Sequence, residues 1–153
     1  MRRMLLYIFS LMVLVGCTNE VEEEKNVYLT YKSNLQETED LKSESELGFN
    51  TYFDVQKEGE EKINYSLVIS DAKVDMYDVK ALLIHDFMVD DVFPSVGIFD
   101  EPVQLLRNSD DEIVLSGSIN SDSDISDIKF RLYLEYEDSN NLTNAIYYEV
   151  NRG

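Results

Sequence analysis

Residues 128–137 read Ile-Lys-Phe-Arg-Leu-Tyr-Leu-Glu-Tyr-Glu, and this stretch decides the fold. Apolar residues stand at every second position from Ile128 to Tyr136, and all the residues between them except Tyr133 are charged. Successive side chains of a β-strand point to opposite faces, so this alternation predicts one face in a core and the other in water. The same period of two occurs in residues 49–56 and 63–70.

The rest of the chain after residue 48 continues this pattern of short strands. Turns containing Gly, Pro or Asn separate the strands, and no long amphipathic helix lies between them to connect parallel neighbours. Val79–Met88 is apolar at consecutive positions, which predicts a central strand covered on both faces. We therefore expect an all-β fold, an antiparallel β-sandwich of seven or eight strands that is immunoglobulin-like in general build. The further strand candidates are residues 27–32, 79–88, 103–107, 112–119 and 145–151.

The composition of the chain excludes several classes of partner and site. The chain has 153 residues, which suits a single domain. It carries 31 Asp and Glu against 13 Lys and Arg, a formal net charge of −18, and this excludes nucleic acid as a partner because phosphates are bound through basic residues. With one His, one Cys and no Trp, zinc clusters, Cys–His dyads and intrachain disulfide frameworks are excluded as well, and we expect no cofactor.

The N-terminus has the layout of an export signal. Arg2 and Arg3 precede Met4–Gly16, an uncharged stretch that is shorter than the roughly 20 residues a bilayer-spanning helix needs. The stretch runs into a branched aliphatic residue, a β-branched residue, a Gly and a Cys. This sequence resembles the lipobox of bacterial lipoproteins, and its residues are Leu14, Val15, Gly16 and Cys17.

The resemblance implies a lipid anchor and a place in the cell. In that family the cysteine thiol receives a diacylglyceryl group carrying fatty acids such as palmitate, and a peptidase cleaves before the cysteine. For this chain it implies a signal peptide over 1–16 and a lipidated Cys17 at the outer face of the cell membrane. We interpret 17–26 as an acidic tether and 27–153 as one domain, regular from about residue 48, with 33–46 as a loop.

Residues that could carry catalysis are few. His85 is the single histidine, and on a regular strand its neighbour Asp86 points to the opposite face, so the two do not form a dyad. No Gly-x-Ser-x-Gly elbow and no glycine-rich phosphate loop occurs. We predict that the protein is not an enzyme. The alternative is an envelope-polymer hydrolase with paired carboxylates, for which Asp90, Asp91 and Asp100 are the candidate acids.

One acidic loop resembles a cation site. Asp122, Asp124 and Asp127 supply spaced oxygen ligands of the kind Ca²⁺ binds, which would make the protein a calcium-binding surface module. The EF-hand pattern fails, however, since neither the turn glycine nor the bidentate Glu stands at its position from either starting residue. A solvated turn between strands is therefore the favoured interpretation.

Tyrosines are the remaining candidates. Tyr52, Tyr133 and Tyr147 fall on the nominally polar faces of their strands. Exposed tyrosines offer a large contact area at low entropic cost, so they could contact an envelope protein or polysaccharide. The alternative is that they form cross-strand pairs that only stabilise the sheet. From all these features we predict a lipid-anchored protein with a non-catalytic binding or accessory role.

Overall fold

The computed structural model describes residues 2–87, 92–121 and 125–151, with the side chains of 2–19 and of residue 125 outside this description. Within these residues the chain forms one long helix, eight strands and two short 3-10 turns, at Glu44–Glu46 and Ile125–Asp127. The longer elements are α1 (Arg2–Glu37), β1 (Asn50–Glu58), β2 (Lys62–Ser70), β3 (Met76–His85), β4 (Ser95–Val96), β5 (Val103–Leu105), β6 (Ile113–Asn120), β7 (Phe130–Glu137) and β8 (Thr143–Glu149).

The strands form two antiparallel sheets. One has the order β1-β2-β6, and the other has the order β4-β3-β7-β8, with β5 also paired to β3. Their inner faces share one apolar core that draws residues from both sheets. The prediction of a mostly β, two-sheet antiparallel architecture is confirmed, and every predicted strand after residue 48 is present.

The alternation that defines the strands also fills the core. Leu132 and Leu134 of β7 are completely buried between the sheets. Phe130 connects the two layers, since its ring centroid lies 4.8 Å from that of Phe53 and 4.9 Å from that of Tyr65. Burying side chains of this size is the main favourable contribution to folding.

Glycine is required at one close approach. The connection between β3 and β5 carries β4, a two-residue strand that the sequence did not predict. Gly97 follows β4 with a φ of 71°, and a Cβ there would collide with the carbonyl oxygen of Val79. Its N–H donates to Asp100 Oδ1 at 2.6 Å, which closes the turn. Only glycine allows the chain to lie this close to β3.

The predicted strand at Val27–Lys32 is wrong, because these residues belong to α1. The run Val-Tyr-Leu-Thr-Tyr is rich in strand-forming residues, but Tyr28, Tyr31 and Leu35 are also spaced for one face of a helix. Packing of that face against a sheet decides between the two. The described backbone of 17–26, interpreted as a tether, is helical too. Of the predicted 33–46 loop, residues 33–37 form the last part of α1, and the helix ends at Glu37.

After α1 the chain stays attached to the second sheet. Lys42 forms a parallel bridge with Tyr148 of β8, and its N–H donates to the carbonyl oxygen of Tyr147 at 2.7 Å. Among the described residues, we find no helix with the length and apolar character needed to cross a bilayer.

Candidate functional site

The two sheets differ in their outer faces, and α1 makes the difference. We call the outer face of the β4-β3-β7-β8 sheet the covered face, because the C-terminal half of α1 packs on it. Tyr28 and Leu35 of α1 are buried there in a second apolar cluster, separate from the core between the sheets. The cluster also contains Leu82, Ile84, Phe93, Ile98 and Tyr133.

A polar cluster fixes α1 at the middle of the covered face. Glu135 of β7 accepts hydrogen bonds from the hydroxyls of Tyr31 at 2.9 Å and Tyr133 at 2.7 Å. The same carboxylate pairs with Lys80 Nζ of β3 at 3.1 Å. The rings of Tyr31 and Tyr133 also lie against each other, with centroids 4.3 Å apart. One carboxylate therefore joins the helix to two neighbouring strands.

The cluster keeps Glu135 ionised. Burial alone raises the pKa of its carboxyl group, but hydrogen bonds from Tyr133, Lys80 and Tyr31 outweigh burial and bring the pKa below its ordinary value. Burial and the bond to Glu135 raise the pKa of both tyrosines. Burial lowers the pKa of Lys80, yet contact with Glu135 leaves it raised overall. Each group is held in its ordinary charge state, which suits a structural contact rather than proton transfer.

Arg131 holds the C-terminal end of α1. Its Nη1 donates to the carbonyl oxygens of Leu35 and Gln36, each at 3.2 Å, and of Thr38 at 3.4 Å. These carbonyls belong to the last turn of the helix and the residue after it, where backbone acceptors lack helical partners and the helix dipole favours a positive charge. A single guanidinium thus caps the helix from the sheet.

The outer face of the β1-β2-β6 sheet carries no helix in the described part of the chain, and we call it the open face. Its outward residues form cross-strand rows. Tyr52, Val68 and Val114 make an apolar row, in which Tyr52 is 67% exposed and Val114 50%. The two rows beside it are polar, and they are Asp54-Ser66-Ser116 and Gln56-Asn64-Ser118.

The two polar rows line a shallow depression of about 480 Å³. Its groups are connected to one another, since Ser66 and Ser116 hydroxyls lie 2.9 Å apart and Gln56 Nε2 donates to Asp54 Oδ2 at 2.8 Å. Gly117 lies between the serines of β6 along its strand, and a Cβ there would collide with the phenol of Tyr65. Below the depression, a glycine is thus required opposite the buried Tyr65.

The structure separates the three predicted contact tyrosines. Tyr52 is exposed on the open face, as expected. The expectation that Tyr133 is exposed is wrong, because α1 covers it and leaves it 2% exposed. Tyr147 is half-buried beside it, with ring centroids 5.2 Å apart in directly paired positions. These two form the cross-strand pair that was the alternative interpretation.

The single histidine lies at the bottom of a second, more enclosed cavity of about 280 Å³, between the end of α1 and the ends of β3 and β7. His85 is 3% exposed, and its ring meets Phe93 at 4.8 Å and Phe130 at 5.8 Å in edge-to-face geometry. Asp86 is exposed and accepts the N–H of Lys129 at 2.8 Å. The described lining offers no serine or cysteine to act as a nucleophile.

The other predicted acids contribute little to a described site. Asp100 closes the turn at Gly97. Asp90 and Asp91 lie outside the described residues, as do Asp122 and Asp124 of the predicted cation loop. Asp127 is exposed. Within the described ranges, no group of three potential His, Cys, Asp or Glu ligands is close enough to hold a metal ion.

The predicted lipid site lies along α1. The backbone at 14–17 is helical, whereas the side chains of Leu14, Val15, Gly16 and Cys17 lie outside the described part. Tyr28, the first buried residue of α1 in the described part, stands eleven positions after Cys17. A helix rises 1.5 Å per residue, so this distance along the axis is about 16 Å.

The sequence did not predict that Tyr31, Lys80, Arg131 and Glu135 together attach α1 to the sheet. The available signal was the pair of opposite charges at Lys80 and Glu135 on two strands, combined with the helical spacing of Tyr28, Tyr31 and Leu35. Comparison with known proteins adds no family to this description. No protein-family model matches the chain, and no curated protein or solved structure is significantly similar to it.

Proposed function

We propose that this chain is an exported protein, anchored through lipid on Cys17 to the outer face of the cell membrane, with a non-catalytic binding role there. The sequence Leu14-Val15-Gly16-Cys17 supports the anchor, because it resembles a lipobox and follows a short uncharged stretch. The partner in the envelope contacts the open face, around Tyr52.

The observation that carries the binding role is the asymmetry of the two sheets. The helix that contains Cys17 covers one outer face and leaves the other open. A large exposed tyrosine at the edge of a polar depression gives the open face both apolar contact area and hydrogen-bonding groups.

The carboxylates support a role without catalysis. A glycoside hydrolase needs one acid whose pKa is raised, so that it is protonated and can donate its proton to the leaving-group oxygen. In the described part of the chain, every carboxyl pKa that clearly shifts is lowered, and the groups are Glu46, Glu58, Glu135 and Asp138. A carboxylate-based hydrolase is therefore the weaker alternative.

The strand order supports the finer proposal of an immunoglobulin-like build. In immunoglobulin domains the first, second and fifth strands share one sheet, and the third, sixth and seventh share the other. Here β1, β2 and β6 share a sheet, and β3, β7 and β8 form the other with β4 and β5 added beside β3. The fourth strand, which immunoglobulin domains place in the first sheet, has no counterpart in the described β1-β2-β6 sheet, and β4 and β5 lie beside β3 instead. The order of the other strands is the same.

The anchor is tested by changing Cys17→Ser in the full chain and following its lipidation. We expect the wild type to take up a labelled fatty acid and to enter the detergent phase, and the variant to do neither, since the thiol that receives the lipid is gone. Gly16→Ala is the matched control, because the lipobox accepts either small residue. A Cys17→Ser chain that is still labelled and still enters the detergent phase would contradict the proposal.

A further inference from the structure

We propose that the open face binds an uncharged glycan, with Tyr52 stacking on a sugar ring and the neighbouring depression binding its hydroxyls. This inference rests on the proposed binding role and names the class of ligand. It is argued from the arrangement of the rows, from their charge and from their composition.

The rows of the open face offer partners both for the C–H faces of a sugar ring and for the hydroxyls around its edge. The apolar row of Tyr52, Val68 and Val114 lies directly beside the polar row of Asp54, Ser66 and Ser116. A pyranose presents C–H groups on its faces and hydroxyls around its edge. The exposed Tyr52 ring offers a flat apolar partner for the C–H face.

The depression supplies groups that both donate and accept hydrogen bonds. Serine hydroxyls and the side-chain amides of Asn and Gln do both, as sugar hydroxyls do. Ser66, Ser116 and Ser118 combine with Gln56 and Asn64 around one depression of about 480 Å³. Such groups satisfy a polyol without requiring a charge on it.

The charge of the open face favours an uncharged ligand. The chain as a whole has 31 acidic and 13 basic residues, but the three rows contain one carboxylate, Asp54, and no basic residue. The next row along the same face holds one basic residue, Lys62, which is already paired with Glu58 at 2.9 Å. An anionic polymer would therefore find no unpaired cation in these rows, and it would be repelled by the rest of the protein.

The composition of the open face also favours a glycan over a protein. Protein interfaces are enriched in aromatic residues, Met and Arg at their centre and depleted in Ser. The depression has the opposite composition, since three serines and two amides line it and its one aromatic lining residue is Tyr65, while Tyr52 stands in the neighbouring row. A protein partner is the competing outcome of the test.

The experiment uses the lipidated chain in nanodiscs and titrates it with three uncharged hexasaccharides: chitohexaose, maltohexaose and cellohexaose. We expect at least one to bind, and Tyr52→Ala to weaken that binding by about tenfold or more. Tyr52→Phe keeps the ring and should keep most of the affinity. Leu142→Ala, at another exposed apolar residue outside the open face, should leave the affinity unchanged.

A hexamer of chitosan, the cationic counterpart of chitohexaose, separates glycan recognition from charge attraction. It should bind the acidic chain in a salt-dependent way that Tyr52→Ala does not change. The proposal is overturned if no uncharged hexasaccharide binds up to about 10 mM, a range in which even weak contacts are detected. It is also overturned if Tyr52→Ala binds as well as the wild type.

A photo-crosslinking group at position 114, which is exposed in the same row as Tyr52, distinguishes in cells between a glycan and a protein as the occupant. A glycan adduct supports the proposal, whereas a protein adduct in its place overturns it. The anchor is tested separately, because labelling of Cys17 does not depend on the open face. Normal lipidation without glycan binding would contradict the ligand class alone. A wild-type chain that binds the glycan but is not lipidated in cells would contradict the anchor alone.

Discussion

The covered face and the open face lie on opposite sides of the same two-sheet fold and have opposite chemistry. Around its central polar cluster, the covered face has large apolar residues at outward positions, such as Leu82 and Ile84, which are buried under α1. Outward positions on the open face are mostly Ser, Asn and Gln, and water reaches them. The residue composition of a sheet's outer face therefore indicates whether another element packs on it.

The two faces should differ most in the free energy of unfolding that is lost when a charge is introduced at an outward position of a central strand. Leu82→Asp places a carboxylate under α1 without a partner, and we expect it to lower the free energy of unfolding by at least about 4 kcal/mol. Val68→Asp, on the middle strand of the open face, should cost less than about 1 kcal/mol. Chemical denaturation of both variants measures the difference, and equal losses would contradict the assignment of the two faces.

The next effect concerns the attachment of α1. Arg131→Ala removes the donor to three backbone carbonyls, and we expect a loss of roughly 1–3 kcal/mol, since bonds to charged groups are stronger than neutral ones. Amide hydrogen exchange should rise in the last turns of α1 while β2 stays protected. Lys129→Ala is the control, and its exposed side chain should matter by less than about 0.5 kcal/mol.

The covered face should also respond to pH. The pKa of Glu135 is lowered in the folded protein, so its contribution is present above the ordinary carboxyl pKa and is lost as the pH falls through the folded value. The raised pKa of Tyr31 and of Lys80 gives the opposite limit, with stability lost as the pH rises above their ordinary values. The protection factors of the amides of residues 28–37, which correct for the intrinsic pH dependence of exchange, should therefore fall at both extremes. Glu135→Gln should weaken the acid response, and an unchanged profile would contradict this account.

The smallest effect is expected on the open face. Ser116→Ala removes one hydroxyl of an exposed pair, and it should change stability by less than about 0.5 kcal/mol. Gly117→Ala, one residue further along β6, places a Cβ against the Tyr65 phenol and should cost more, at about 1–3 kcal/mol. Thermal unfolding of the two variants checks the order, and a Ser116→Ala loss as large as that of Gly117→Ala would sink it.

The period of two was enough to predict the strands, because each strand has one face in the core between the sheets. The apolar character of β3 on both faces also showed that its outer face must be covered, and this prediction is confirmed by the burial of Leu82 and Ile84. What covers it was not predictable from the pattern alone. Residues 27–32 combine strand-forming residue types with helical spacing, and only the contact with the sheet decides between the two.

The same limit explains why the exposure of Tyr133 was predicted wrongly. Alternation places Tyr52 and Tyr133 alike on nominally exposed faces, although Tyr133 stands between two leucines in a continuous apolar run. That run was the available sign of burial on both sides. The position of Arg131 was equally misleading, since an outward charged residue on a strand indicates solvent, and here it indicates the end of a helix.

The order of the contacts along α1 determines how the molecule would respond to a mechanical load. Tension applied at Cys17 reaches Tyr28 first, then Tyr31, and then the turn held by Arg131. Contacts that are loaded one after another yield at lower force than contacts that are loaded together. Pulling on the proposed anchor would therefore peel the helix away stepwise and lengthen the proposed connection to the membrane.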